Sequence, residues 1–278
     1  MQYECIPVLG SKVVVFVLLL GTSITSWAWG NFPYPKLALN AKSAIVYNIS
    51  HNEIIYSKDH TTVRPIASLT KLMLATVIID EGQPLDELIT ITKDDIDMLK
   101  GTGSRLRIGT THTRERLLHL TLMSSENRAA SALARHYPGG TLSAVDEMNV
   151  KAITLGMYDT RYEDPTGLDD RNVSTSKDLT RLVRVAFNYP LITTFSTYSS
   201  FVQVGSQSYS NSNSLTLSRI DPNIVTVSKT GYINRAGRCV VLALSDNIVI
   251  VLLGNRSVQH RINDVSIIMN YLNKRNLI

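Results

Sequence analysis

Ser68-Leu69-Thr70-Lys71 sets a hydroxyl and an amine three residues apart at the start of an apolar stretch. On a helix, side chains at i and i+3 are neighbours, about 5–6 Å apart at Cβ. A serine hydroxyl is a weak nucleophile without a base, and a lysine held among apolar groups acts as one once its pKa falls. The same spacing recurs at Ser174-Thr175-Ser176-Lys177, where Thr175 to Asp178 has the spacing of a capping box and reads as a helix start. Order along the chain separates the two copies. Ser68 and Lys71 are followed by Ser125-Glu126-Asn127 and then by Lys229-Thr230-Gly231, whereas the Ser174 copy completes no such set. A literal Ser245-Asp246-Asn247 falls after Lys229 between two apolar runs and reads as a hairpin turn, which suits Ser and Asx residues.

Those residues need elements to hold them. Ala44 to Ile49 and Ile54 to Tyr56 flank a polar Ser50 to Glu53 and predict a hairpin. Residues 65–80 predict a buried helix, stopped by Gly82 and Pro84. Further helices are predicted from Thr113 to Met123, from Arg128 to His136, over Val145 to Leu155 and over Leu179 to Phe187, with Ser124 to Asn127 as a polar break. The serine-rich stretch from Phe201 to Leu217 alternates polar with larger residues and predicts a sheet edge. Ile224 to Val227, Cys239 to Leu244 and Ile248 to Leu253 read as strands, and Ile262 to Leu272 as a closing helix. Strands near both ends around a helical middle predict a single α+β domain whose antiparallel sheet joins remote segments.

Composition narrows the function classes. Of 278 residues, 44% are hydrophobic and 18% charged, which is enough apolar material to exclude wholesale disorder. A net charge of +5 suits an anionic partner, but no basic run reaches five residues and only 7% are aromatic, so nucleic acid is not expected. Two cysteines, Cys5 and Cys239, exclude a disulfide scaffold, and Cys239 opens an apolar run as a buried, inert thiol would. The six histidines lack ligand spacing and read as surface or helix-end residues; no metal and no cofactor are expected. Lys12, the apolar run Val13 to Leu20 and the small residues up to Gly30 read as a signal peptide over residues 1–30, too short an apolar run for the ~20 residues of a spanning helix. Residues 31–278 are then the exported domain, with no stable membrane anchor once the signal is cleaved.

The ordered set Ser68-x-x-Lys71, Ser125-x-Asn127, Lys229-Thr230-Gly231 resembles the penicillin-binding proteins and class A β-lactamases. Arg64 to Met73, Asp164-Pro-Thr-Gly-Leu-Asp169 and Lys229 to Cys239 are similar to the low-molecular-mass D-alanyl-D-alanine peptidases of the S11 type. Ser124 to Ala130, and the end of the chain soon after the closing helix, are most similar to their short D,D-endopeptidase branch, without the C-terminal β domain and anchor of the larger carboxypeptidases. The resemblance implies a β-lactamase/transpeptidase-like fold and a periplasmic serine D-alanyl-D-alanine endopeptidase or carboxypeptidase. Its partners would be peptidoglycan peptides, with β-lactam antibiotics as covalent inhibitors. It assigns catalysis to Ser68 as nucleophile, Lys71 as base with its pKa lowered by burial and by Lys229, and Ser125 as proton relay. It assigns substrate binding to Asn127, Lys229, Thr230, Gly231 and the backbone of Tyr232, with Gly231 letting the peptide lie flat. Arg261 is a weaker choice for a carboxylate partner, against an ordinary surface arginine. Two alternatives remain open: a class A-like β-lactamase, which needs a water-activating carboxylate where Glu163 and Glu126 read as structural, and a catalytically silent peptidoglycan-binding domain, which should have lost one of the motif residues.

Overall fold

The computed structural model describes residues 36–199 and 202–278, so the signal reading of residues 1–30 lies outside the described residues. The predicted first hairpin is present as β1 (Ser43–Asn48) and β2 (Glu53–Lys58), followed by a short β3 (Arg64–Pro65). A 3₁₀ turn over Ala67–Leu69 leads into α1 (Thr70–Asp80), so Ser68 sits in the tight turn before the α-helix predicted over 65–80. Next come β4 (Leu88–Thr90), β5 (Thr111–Thr113), α2 (Arg114–Met123), α3 (Asn127–Arg135) and α4 (Gly140–Thr154). After β6 (Val173–Ser174) follow α5 (Ser176–Ala186), α6 (Pro190–Thr197), β7 (Val202–Val204), β8 (Gln207–Tyr209) and a one-turn α7 (Ser214–Leu217). The chain closes with β9 (Val225–Ile233), β10 (Gly237–Leu244), β11 (Ile248–Asn255) and α8 (Val258–Lys274).

The sheet runs β2-β1-β11-β10-β9, antiparallel throughout, and β1 from one end of the domain pairs with β11 from the other through partners such as Ala44 and Leu252. Side chains alternate across a strand, so each strand serves two cores. Val240, Leu242, Leu244, Ile250 and Leu252 meet Val265, Ile268 and Leu272 of α8. Val241, Ala243, Val249 and Val251 face the helical middle. With both faces covered, β10 and β11 carry nearly unbroken apolar runs. Ser245-Asp246-Asn247 makes the turn between them, with Asn247 in the left-handed region at φ 60°.

Helix α1 is buried on every side from Thr70 to Ile78, which explains why its apolar residues show no polar face. Gly82, at φ +70°, follows its end. The serine-rich stretch departs from its sheet-edge reading: β7 and β8 form a separate two-stranded hairpin, α7 follows, and the edges of the main sheet are β2 and β9. Alternation reports a half-buried strand but does not say which strand it pairs with. Thr175 caps α5 by accepting from the Asp178 N–H at 3.0 Å, so the second Ser-x-x-Lys is structural. Cys239 is buried, and burial pushes its thiol up to about 11. His119 is half-buried: its ring stacks on Phe195 at 4.5 Å between centroids, and burial takes its pKa down to about 4.

Candidate active site

Ser68 is presented by a segment that the fold holds in a costly conformation. Ala67 lies at φ 49°, sparsely populated for a residue with a Cβ. The Thr70 hydroxyl donates to the Ala67 carbonyl at 2.8 Å, and the Ile66 N–H donates to the Asn172 carbonyl at 3.0 Å. On the other side, Gly167 at φ +82° comes so close that a Cβ there would overlap the Ala67 carbonyl.

Lys71 Nζ, fully buried, has three contacts: Ser68 Oγ at 2.9 Å, Asn127 Oδ1 at 2.7 Å and the Thr166 carbonyl at 2.6 Å. The last two only accept. A neutral amine has two N–H groups and one lone pair, so once both acceptors are served the lone pair is left facing the Ser68 hydroxyl. Burial lowers the Lys71 pKa to about 8, against the opposing pull of Asp164, Glu126 and Asp97. Repulsion from Lys229, expected to help, is expressed at the other lysine. Lys229 is held well below the ordinary lysine range by burial first, then by the Lys71 and Arg261 cations. Lys229 Nζ donates to Ser125 Oγ at 2.8 Å and to the Thr230 carbonyl at 2.9 Å. Ser125 falls in the break between α2 and α3, at φ 60°, so its side chain leaves the helical register and reaches Lys229.

Thus Ser68, Lys71 and Asn127 form one polar cluster and Ser125 and Lys229 a second. Thr230 joins the second through its carbonyl, while its hydroxyl donates to Ser212 Oγ at 3.0 Å. Tyr232 is half-exposed; its hydroxyl donates to Asn234 and Arg238 lies over its ring at 3.6 Å from the centroid, so its side chain makes no contact with these clusters. Gly231 also has a structural role within the fold. A Cβ there would stand 2.9 Å from both the Ile66 carbonyl oxygen and the Ser68 nitrogen, so its absence lets β9 approach the Ser68 backbone. Gly231→Ala is expected to displace that backbone, lowering the acylation rate at least about tenfold and the melting temperature as well, read by stopped-flow kinetics and calorimetry.

Arg261, weighed as a surface residue, is instead buried on α8, with Nη2 3.5 Å from the Thr216 hydroxyl, and burial lowers its pKa to about 10. Helix periodicity places it on the inner face only once the sheet is known. The two glutamates are structural, as read: Glu163 pairs with Arg161 and Arg171, and Glu126 caps α3 by accepting from the Arg128 N–H. Sequence reasoning missed the supports. Asp164 accepts from the N–H groups of Thr166, Gly167 and Asp169, shaping the loop whose Thr166 carbonyl meets Lys71. Asn172 ties that loop to α1, donating to the Asp164 carbonyl at 2.8 Å and to Thr70 Oγ1 at 3.1 Å. The Asp-Pro-Thr-Gly run carried a turn signal, but nothing in it pointed to Lys71.

Residues 31–255 match the S11 peptidase family, described as D-alanyl-D-alanine carboxypeptidase. A D-alanyl-D-alanine endopeptidase of Escherichia coli K12 is 42% identical over 213 residues, covering 75% of this chain and 67% of that protein. One from Pseudomonas aeruginosa is 42% identical over 226 residues, covering 77% and 72%. Among solved structures, the Streptomyces K15 DD-transpeptidase superposes with a TM-score of 0.77 at 26% identity, covering 85% of this chain and 98% of that one. Penicillin-binding protein D2 from Listeria monocytogenes, in a cefotaxime-bound form, gives 0.75 at 27% identity, with the same coverage. The chain belongs to the S11 peptidase family and is a serine-type D-alanyl-D-alanine peptidase.

Proposed function

We propose that the protein hydrolyses D-alanyl peptide bonds of peptidoglycan through an acyl-enzyme on Ser68, and that it prefers cross-links. The observation that carries this reading is the set of contacts at Lys71 Nζ, where two obligate acceptors leave only the Ser68 hydroxyl for the lone pair. The Ser68 proton passes to Lys71 as Oγ adds to the carbonyl carbon. The tetrahedral oxyanion is met by the backbone N–H groups of Ser68 and Tyr232. The C–N bond then breaks, and Ser125 relays to the leaving amine the proton that Lys71 took up, so that Lys71 is neutral again. Water finally cleaves the ester and restores the Ser68 hydroxyl. Asn127 orients Lys71 and the substrate amide, while Lys229 and Thr230 hold the substrate's carboxylate; buried Arg261, with no carboxylate partner among the described residues, adds positive charge behind them. β-Lactams, as strained amides, acylate the same serine.

Residues 1–30 direct export, and residues 31–278 work in the periplasm. Among the described residues no helix is long and apolar enough to cross a membrane. The preference for cross-links rests on the endopeptidase relatives in E. coli and P. aeruginosa. Residues 31–278 are expected to convert cross-linked muropeptide dimers to monomers faster than they release D-alanine from monomeric pentapeptide. Product analysis at equal enzyme tests it; free D-alanine in excess over monomer would reverse the preference and leave the serine mechanism standing.

A further inference from the structure

One polar chain leading away from Lys71 is not used by the reaction above. Asn127 Oδ1 accepts from Lys71, and Asn127 Nδ2 donates to Thr102 Oγ1 at 2.9 Å. The Thr102 hydroxyl donates in turn to Asp97 Oδ2 at 2.6 Å. Every donor along the path points towards Asp97, so the bonds polarise one another. An asparagine amide has nearly the same shape when its oxygen and nitrogen exchange places, and only its partners choose between the two orientations. With its hydrogen committed to Asp97, the Thr102 hydroxyl offers Asn127 only lone pairs, and therefore selects Nδ2 on that side and Oδ1 towards Lys71. The loop that carries Thr102 is not held by core packing: Met98 is 86% exposed and Leu99 57%. Asp97 holds it instead, accepting from the N–H groups of Leu99 at 2.8 Å, Lys100 at 3.0 Å and Thr102 at 2.8 Å. Burial alone would raise the Asp97 carboxyl, but these bonds and the Thr102 hydroxyl hold it below its ordinary range, so it remains an obligate acceptor near neutral pH.

We propose that Asp97 and Thr102 are positioning residues for the reaction: through Asn127 they aim the Lys71 amine at Ser68. The proposal rests on the reading of Lys71 as the base. The charged groups facing Lys71 are Asp164, Glu126, Asp97 and Lys229.

The test measures acylation by benzylpenicillin against pH for the wild type and for Thr102→Val, Thr102→Ser, Asp97→Asn and Lys71→Ala. Thr102→Val keeps the shape of the side chain but cannot hydrogen-bond, so the amide turns its N–H groups to Lys71. The limiting acylation rate should fall about 10- to 100-fold, the effect of a displaced catalytic group. The inflection should move to lower pH, because the acceptor that favours the ammonium is lost. Asp97→Asn should do the same, since its charge also favours the ammonium. Thr102→Ser, which restores the hydroxyl, should recover the rate to within about threefold and return the inflection to its wild-type pH. Wild-type rate and inflection in Thr102→Val and Asp97→Asn, with Lys71→Ala inactive, would overturn the positioning role and spare the base. Equal losses in Thr102→Val and Thr102→Ser with an unmoved inflection would overturn it too, reducing the loop to scaffolding. Full acylation by Lys71→Ala would remove both readings.

Discussion

Intact Ser68→Ala protein incubated with benzylpenicillin is expected to keep its own mass, while the wild type gains the mass of one drug molecule. The ring-opened drug stays attached to the ester carbonyl and cannot diffuse away as a peptide's amine does, so the adduct outlives the chemistry that forms it. Hydrolysis of that ester would be fast only with a carboxylate free to activate water. Glu163 is bridged to Arg161 and Arg171, and the Glu126 carboxylate accepts from the Arg128 N–H in the first turn of α3. Mass spectrometry of the intact protein over time separates the outcomes. A drug adduct on Ser68→Ala would place the nucleophile elsewhere, and loss of the wild-type adduct within seconds would favour β-lactamase turnover.

Lys71→Ala should lower acylation by about 10²- to 10⁴-fold, the usual contribution of a general base. Lys71→Arg should be just as poor: it keeps a cation in place, but a guanidinium does not give up its proton. The sign of the pH dependence follows from the depressed pKa. The base must be neutral, so the wild-type acylation rate rises with pH and levels off above about 8. At pH 7 roughly a tenth of molecules then hold a neutral Lys71, against about one in three thousand for an unperturbed lysine. Burial therefore accounts for a gain of two to three orders of magnitude in available base. Stopped-flow acylation across pH 5–10 checks this; a rate independent of pH through that range, or an active Lys71→Arg, would remove Lys71 from the role.

Most residues of this candidate site are legible in the sequence, because the proposed chemistry depends on residue types at short spacings. Ser68 and Lys71 lie three residues apart, Ser125 and Asn127 flank a helix break, and Lys229 to Gly231 are consecutive, so local geometry nearly suffices for each motif. The apolar runs from Cys239 to Leu244 and from Ile248 to Leu253 likewise announce strands, and the capping spacing at Thr175 dismisses the second Ser-x-x-Lys. What the chain order does not encode is which segments meet. The register of β1 against β11, the separate hairpin in the serine-rich stretch, the burial of Arg261 and the stacking of His119 on Phe195 follow from packing between residues far apart in sequence. The same holds for Gly231, whose missing side chain serves the Ser68 backbone, and for the carbonyl of Thr166 and the Asp97–Thr102–Asn127 chain around Lys71. A sequence names the groups able to donate and accept protons. Only the folded chain decides the direction of each hydrogen bond and the burial of each charge, and the proposed role of Lys71 as a base rests on those two quantities.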